Sequence, residues 1–99
     1  MNKRFDKLEI NNINKQEIKR NDGKYVGQVV NGIAEGKGIA YFINGDKYEG
    51  EWRNNKKEGK GIYYFKNGDR EMGDYLNGNP IGKHITLTIK GEVESKIYN

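Results

Sequence analysis

The chain has 99 residues, a net charge of +4 and a hydrophobic content of 33%, which permits one domain but not a thick two-layer core. It contains no cysteine, which excludes a disulfide framework and a thiolate metal site and is compatible with a reducing, cytoplasmic compartment. No apolar stretch approaches the ~20 residues that are needed to span a bilayer.

Residues 1–17, MNKRFDKLEINNINKQE, precede the repeated part of the sequence and carry nearly balanced charges. Phe5 and Leu8 fit one stripe of a helix, whereas Leu8 and Ile10 alternate as in a short strand. Two interpretations stay open for this segment. It is either a frayed tail or a cap over the exposed edge of the first hairpin.

From residue 25 onwards the sequence repeats itself every 23 residues. YVGQVVNGIAEGKGIAYFINGDK (25–47) is followed by YEGEWRNNKKEGKGIYYFKNGDR (48–70), and a weaker third copy fills 71–93. A half-repeat at 18–24 and a closing strand that ends at residue 98 complete a repeat domain over 18–98. A fixed period of this length indicates stacked supersecondary units.

Each unit is predicted to be a β-hairpin. Residues 38–43 are aromatic and β-branched, residues 46–52 alternate with a period of two, and Asn44-Gly45 lies between them. Asn-Gly in this position predicts a type I′ turn, and Asn67-Gly68 repeats it. The polar segment 53–60 is expected to connect one hairpin to the next. The predicted fold is therefore all-β, an elongated single-layer antiparallel meander of repeated β-hairpins.

The aromatic residues form the first candidate binding surface. A single-layer sheet cannot bury both of its faces, so part of the aromatic stripe is expected to line an exposed concave groove, the kind of surface that solenoid proteins use for binding. The candidate partner-binding residues are Tyr41, Trp52, Tyr64 and Tyr75.

The second candidate surface is basic. Lys56, Lys57 and Lys60 lie in one predicted connection and could face anionic phospholipid headgroups, although a solvated loop is the commoner origin of such a cluster. Nucleic acid is not an expected partner, because its recognition calls for a denser basic stripe interleaved with exposed aromatic residues.

Catalysis finds little support in the sequence. His84 is the only histidine and Ser95 the only serine, and neither stands in a nucleophile motif. Gly-Lys-Gly at 36–38 and at 59–61 lacks the continuation that a phosphate-binding P-loop requires. We therefore expect no enzymatic activity, no metal site and no cofactor.

The spacing of these residues resembles the MORN repeat (membrane occupation and recognition nexus). The motif residues are Tyr25, Gly27, Gly36, Gly38 and Gly45, repeated at Tyr48, Gly50, Trp52, Gly59, Gly61 and Gly68. The resemblance is strong over 25–70 and weaker over 71–98, where Glu71 replaces the first tyrosine and His84 the second glycine of Gly-x-Gly.

The resemblance implies a scaffold or adaptor, often at the cytoskeleton or the inner face of a membrane. It also implies a protein partner, which for some MORN modules is a helix and for others a second copy. The unpaired strands expected near 18–25 and 93–98 make a homodimer a further expectation.

Overall fold

Residues 15–99 are described by a computed structural model and form one antiparallel sheet. Its eight strands lie side by side in chain order: β1 (Lys15–Arg20), β2 (Gly23–Val30), β3 (Ile33–Phe42), β4 (Lys47–Arg53), β5 (Lys56–Tyr64), β6 (Arg70–Leu76), β7 (Asn79–Leu87) and β8 (Val93–Tyr98). Each strand pairs with its neighbours in the sequence, which gives an open meander about 48 Å long. The predicted single-layer hairpin meander is confirmed.

The N-terminal tail or edge cap expected for residues 1–17 falls largely outside the described residues, which begin at Lys15. Lys15, Gln16 and Glu17 lie in β1, so the described sheet starts three residues before the predicted boundary at Ile18. Residues 25–47 carry most of β2 and all of β3, residues 48–70 most of β4 and all of β5, and residues 71–93 most of β6 and all of β7. The third copy thus forms the same pair of strands as the first two.

Two kinds of turn alternate along the meander. The turns after β2, β4 and β6 contain two residues each, and both residues have positive φ: Asn31-Gly32, Asn54-Asn55 and Asn77-Gly78. Positive φ at both positions defines the type I′ turn, which suits the right-handed twist of paired strands. The segment 53–60, predicted to be a connection, is thus the end of β4, a tight turn and the start of β5.

The type I′ turns predicted at Asn44-Gly45 and at Asn67-Gly68 are both wrong, because only the glycine of each pair has positive φ. In the first loop Gly45 has a φ of 99°, and its N–H donates to the carbonyl of Phe42. The N–H of Phe42 donates to the carbonyl of Asp46, which closes a three-residue loop of the kind in which a type I turn is followed by a glycine bulge. Asn44 Oδ1 accepts from the N–H of Asp46 at 2.9 Å, so the asparagine side chain braces the loop.

One side of the sheet, which we call the tyrosine face, holds the core. The rings of Tyr25 and Tyr48 are fully buried and lie over Gly38 and Gly61 on the neighbouring strands. A methyl group on Gly38 would lie 2.3 Å from the Tyr25 ring, so only glycine admits it there. Trp52 stands edge-on to both tyrosines, with ring centroids 5.0 Å and 5.4 Å away. Aromatic rings packed on a glycine floor thus supply the burial that a single layer otherwise lacks.

The third hairpin packs a different ring in the corresponding place. Glu71 occupies the position of the tyrosine, and the fully buried ring of His84 lies over Gly73. His84 Nδ1 is 2.9 Å from Glu71 Oε2, a hydrogen bond that forms when one of the two carries a proton. The same carboxylate oxygen accepts from the hydroxyl of Tyr98 at 2.8 Å. Glu71 therefore ties β8 to β6 across the intervening strand.

The second and third type I′ turns are also tied to the hairpin before them. The N–H of Asn55 donates to the carbonyl of Ala34 at 3.1 Å, and one repeat later the N–H of Gly78 donates to the carbonyl of Lys57 at 2.9 Å. These bonds fix the angle between successive hairpins because they join groups that lie 21 residues apart in the chain.

The opposite ends of the hairpins are joined by aspartates. Asp46 Oδ1 accepts from the N–H of Lys66 at 2.8 Å, and Asp69 Oδ1 accepts from the N–H of Ile89 at 3.0 Å. Asp46 also accepts a hydrogen bond from the hydroxyl of Tyr63 at 2.8 Å. Desolvation acts to raise the pKa of Asp46, but these hydrogen bonds outweigh it, so the pKa lies below its ordinary value.

Candidate functional site

The side of the sheet opposite the core, which we call the groove face, carries an open groove of about 820 Å³. Its floor is an apolar row in which Val26, Ile39, Ile62 and Met72 lie in register on β2, β3, β5 and β6. Glu49 of β4 interrupts the row. These side chains face away from the core because neighbouring residues of a strand point to opposite faces.

The rim of the groove is charged with alternating sign. Lys37, Glu51, Lys60 and Asp74 follow one another along successive strands. Lys60 Nζ lies 3.6 Å from Asp74 Oδ1, and both side chains are more than half exposed. An exposed pair of this kind contributes little to stability and can exchange partners at low cost. The rim therefore suits a partner that carries charges of both signs.

Tyr41 and Tyr64, two of the four predicted partner-binding residues, lie on the groove face. They stand two residues after Ile39 and Ile62, so each lies one row beyond the floor. Tyr41 is 40% exposed, Tyr64 is half-buried, and Lys47 Nζ lies 4.5 Å from the ring centroid of Tyr64. Tyr41 and Tyr64 therefore share a face with Ile39 and Ile62.

Trp52 and Tyr75, the other two predicted partner-binding residues, belong to the core. They are 3% and 6% exposed, and Tyr75 packs edge-on against Tyr48 at 5.1 Å. Trp52 Nε1 donates to the carbonyl of Gly38 at 3.1 Å. The four predicted residues therefore do not line one groove. Trp52 and Tyr75 lie on the opposite face from Tyr41 and Tyr64.

The turn after β3 is the physical reason for this division. A two-residue turn at Asn44-Gly45 would pair Tyr41 with Tyr48 and bring it to the face of Trp52. The three-residue loop pairs Tyr41 with Lys47 instead, and Tyr48 with Ala40. A shift of one residue moves a side chain to the other face of the sheet.

The three predicted lipid-binding lysines are also divided. Lys60 lies on the rim of the groove, whereas Lys56 and Lys57 line a small pocket of about 240 Å³ near Arg20 on the other side. Lys57 Nζ lies 5.5 to 5.9 Å from the ring centroids of Phe42, Tyr48, Tyr63 and Tyr75. Desolvation among these rings, with the nearby charge of Arg20, lowers the pKa of Lys57 from its ordinary value, and Asp22 opposes this in part.

The floor of the groove was the feature that sequence reasoning missed. Ile39 and Ile62 recur at the 23-residue step, together with Ile85, but they are not among the residues predicted to bind a partner. The sequence does contain a signal that this row is exposed. Lys37 and Lys60 precede Ile39 and Ile62 by two residues and therefore share their face of the sheet. An apolar column flanked by charges on the same face is typical of a surface that meets solvent.

Residues 15–99 contain no group of three or more histidine, aspartate or glutamate side chains placed to hold a metal ion. The same residues include no helix that is long and apolar enough to cross a membrane.

Comparison with known protein families gives a match over the first two repeats. The family model of the MORN repeat matches residues 25–47 and 48–70, which are the two copies with the complete tyrosine and glycine pattern. The comparison with curated proteins gave no match.

Proposed function

Since the chain contains MORN repeats at residues 25–47 and 48–70, we propose that it is a non-enzymatic scaffold or adaptor that binds a protein partner in the groove. The repeats indicate a binding or scaffold module, and the partner and the site are the parts that we propose. Action at the cytoskeleton or at the inner face of a membrane belongs to the same proposal, because the partner would determine it.

The observation that supports this function is the apolar floor. Val26, Ile39 and Ile62 are half-buried and line the open groove, and Met72 is 37% exposed. An exposed apolar row beside a charged rim, here interrupted only by Glu49, marks an interaction surface more often than a solvated face. The core is complete without this row, since the aromatic rings of the tyrosine face pack on one another.

The dimensions of the floor favour a helical segment as the partner. From Val26 on β2 to Met72 on β6 the row crosses four inter-strand steps, roughly 19 Å at the usual strand spacing. A helix of about 13 residues has this length. An amphipathic helix that lies across the strands would place its apolar stripe on the isoleucines and its charged flanks against Lys37, Glu51, Lys60 and Asp74.

A charge placed in the floor tests the proposal. Ile62→Glu introduces a carboxylate at the centre of the groove, and Ile43→Glu introduces the same group in a turn where Ile43 is 83% exposed. Both variants and the wild type are used as bait in the native cell, and the captured proteins are compared by mass spectrometry. The candidate partner is then titrated as a purified segment against all three.

We expect Ile62→Glu to weaken binding of that segment by about tenfold or more, as truncation of a central anchor does, while Ile43→Glu binds like the wild type. Circular dichroism must show that both variants are folded. Equal capture and equal affinity for all three proteins would overturn the proposal. Tyr64→Ala serves as a second probe, and Trp52→Ala is unsuitable because Trp52 is buried.

A second candidate function is peripheral binding of anionic phospholipid. It is supported by the pocket that Arg20, Lys56 and Lys57 line together with three asparagines and no carboxylate. Co-sedimentation with phosphoinositide vesicles should fall when Lys56 and Lys57 are changed to Ala, and not when Lys60, which lies on the other face, is changed alone. Equal sedimentation with neutral vesicles would exclude this function.

A further inference from the structure

The last strand of the sheet has one free edge. Among residues 15–99, β8 pairs with β7 and with no other strand. The N–H of Thr88 donates to the carbonyl of Glu92, and β7 and β8 continue in the same register. Because bonded and non-bonded pairs alternate along an antiparallel ladder, the N–H and C=O groups of Val93, Ser95 and Ile97 point outward.

The sequence of this edge is complementary to itself. When β8 is laid antiparallel to a second β8 with Ser95 opposite Ser95, Glu94 faces Lys96 twice and Val93 faces Ile97 twice. Opposite charges and apolar pairs in directly facing positions both favour strand pairing. The side chains are available, since Val93 is 69% and Ile97 63% exposed. Neither Glu94 nor Lys96 forms an ion pair within residues 15–99.

The backbone selects the same register. With Ser95 on the two-fold axis, the outward groups of Val93, Ser95 and Ile97 meet their counterparts and form about six hydrogen bonds. Moving the register by two residues in one direction places Glu94 against Glu94, and in the other direction Lys96 against Lys96. Both alternatives oppose like charges.

The other described edge is less suited to pairing with a copy of itself. β1 reads Lys-Gln-Glu-Ile-Lys-Arg. Glu17 would face Lys19 if Ile18 lay opposite Ile18, but three basic residues against one acidic residue leave two copies of β1 with a net repulsion, and lysines commonly guard edge strands in this way. A contact that involves β8 alone is symmetric and closes at two copies.

We propose that two copies of this chain associate through β8, with Ser95 on the two-fold axis, and so join their sheets into one. The contact lies at the end of the sheet and leaves both grooves open. A dimer would therefore present two copies of the groove at a fixed separation.

A charge exchange tests the pairing. Sedimentation of the full chain is followed from micromolar to millimolar concentration for the wild type, for Glu94→Lys, for Lys96→Glu and for the double exchange. Each single variant opposes like charges in its own dimer, and we expect its dissociation constant to rise about tenfold or more. The double exchange has the composition of the wild type, restores the pairs and should dimerise like it.

An equimolar mixture of the two single variants is the sharpest measurement. The lysine introduced in one variant then faces the glutamate introduced in the other, so a heterodimer should form with wild-type affinity. This recovery also shows that neither variant is misfolded. A wild type that stays monomeric over the whole range, single variants that dimerise like it, or a mixture that fails to recover would each overturn the proposal.

A proline variant tests the backbone part. Ser95→Pro removes the outward N–H and no bond to β7, which is where an edge strand tolerates proline. We expect a folded monomer by circular dichroism and sedimentation. A folded Ser95→Pro variant that dimerises like the wild type would show that β8 does not form the contact.

Discussion

His84 Nε2 donates a hydrogen bond to the carbonyl oxygen of Asp74 at 2.9 Å. One repeat earlier the equivalent carbonyl, that of Glu51, accepts from the hydroxyl of Tyr48 at 3.3 Å. The imidazole thus makes the bond that a tyrosine makes in the preceding hairpin, although it comes from the neighbouring strand. In the third repeat the ring is His84, at the position of Gly61, whereas Glu71 stands at the position of Tyr48. The third repeat therefore keeps an aromatic core although it departs from the family pattern.

This exchange predicts that Glu71 and His84 are energetically coupled. His84→Gly alone leaves a cavity and should cost about 2–4 kcal/mol, and Glu71→Tyr alone crowds the histidine and should cost about 1–3 kcal/mol. Glu71→Tyr with His84→Gly rebuilds the arrangement of Tyr48 over Gly61, so it should cost less than the sum by at least about 1 kcal/mol. Urea unfolding of the four proteins measures the coupling. Strict additivity would contradict it.

Gly61 is predicted to be intolerant of a side chain. A methyl group there would lie 2.1 Å from the Tyr48 hydroxyl and 2.3 Å from its ring, so Gly61→Ala must displace a buried ring, at about 1–3 kcal/mol. Gly82→Asn is the matched control. Its backbone also favours glycine (φ +69°), but no atom lies within 4 Å of a Cβ there, and asparagine tolerates this conformation. Equal loss of thermal stability in the two variants would count against the ring contact.

Asp46 should contribute more to stability than Asp69. Both accept a backbone N–H from the next hairpin, but only Asp46 also accepts the hydroxyl of Tyr63. We expect Asp46→Ala to destabilise by about 1 kcal/mol more than Asp69→Ala. In a Tyr63→Phe background the two substitutions should cost the same, and a difference that persists there would rule out this explanation.

The tyrosine face predicts a loss of stability at alkaline pH. Desolvation raises the pKa of Tyr25 to about 12, assisted by Glu35, and that of Tyr63 to about 12, assisted by Asp46. The folded state therefore holds protons that the unfolded state releases near pH 10. Stability is fully present below about pH 10 and is lost as the pH rises towards 12. Circular dichroism and tyrosinate absorbance should change together. Tyrosinate that forms near pH 10 in a protein that is still folded would contradict this.

The repeat step was sufficient to predict the architecture. Tyr25 and Tyr48, or Ile39 and Ile62, fall on equivalent strands because a fixed period places equivalent residues in equivalent environments. The 23-residue step does not determine whether two different sets of equivalent residues lie on the same face of the sheet. That relation depends on the loop between the strands.

The loops could not be read from local sequence. Asn31-Gly32 and Asn44-Gly45 are the same dipeptide, yet only the first is a type I′ turn. Asp46 makes the difference, because it is held by Lys66 of the following hairpin and by Asn44 of its own loop. A contact 20 residues away thus sets the loop length and, through it, the face on which Tyr41 lies. For this reason the four predicted partner-binding residues were wrongly assigned to one groove.

The order of the strands also determines how the molecule responds to force. β1 and β8 lie at opposite edges of the sheet, so a load applied to the two ends acts across the strands and opens the bonds between them one pair after another. Each released hairpin of 23 residues adds roughly 75 Å of chain. We expect extension in repeat-sized steps at low force in an optical trap, rather than one cooperative rupture. A scaffold built in this way is an extensible spacer, and its length depends on the tension between the partners that are attached to its two ends.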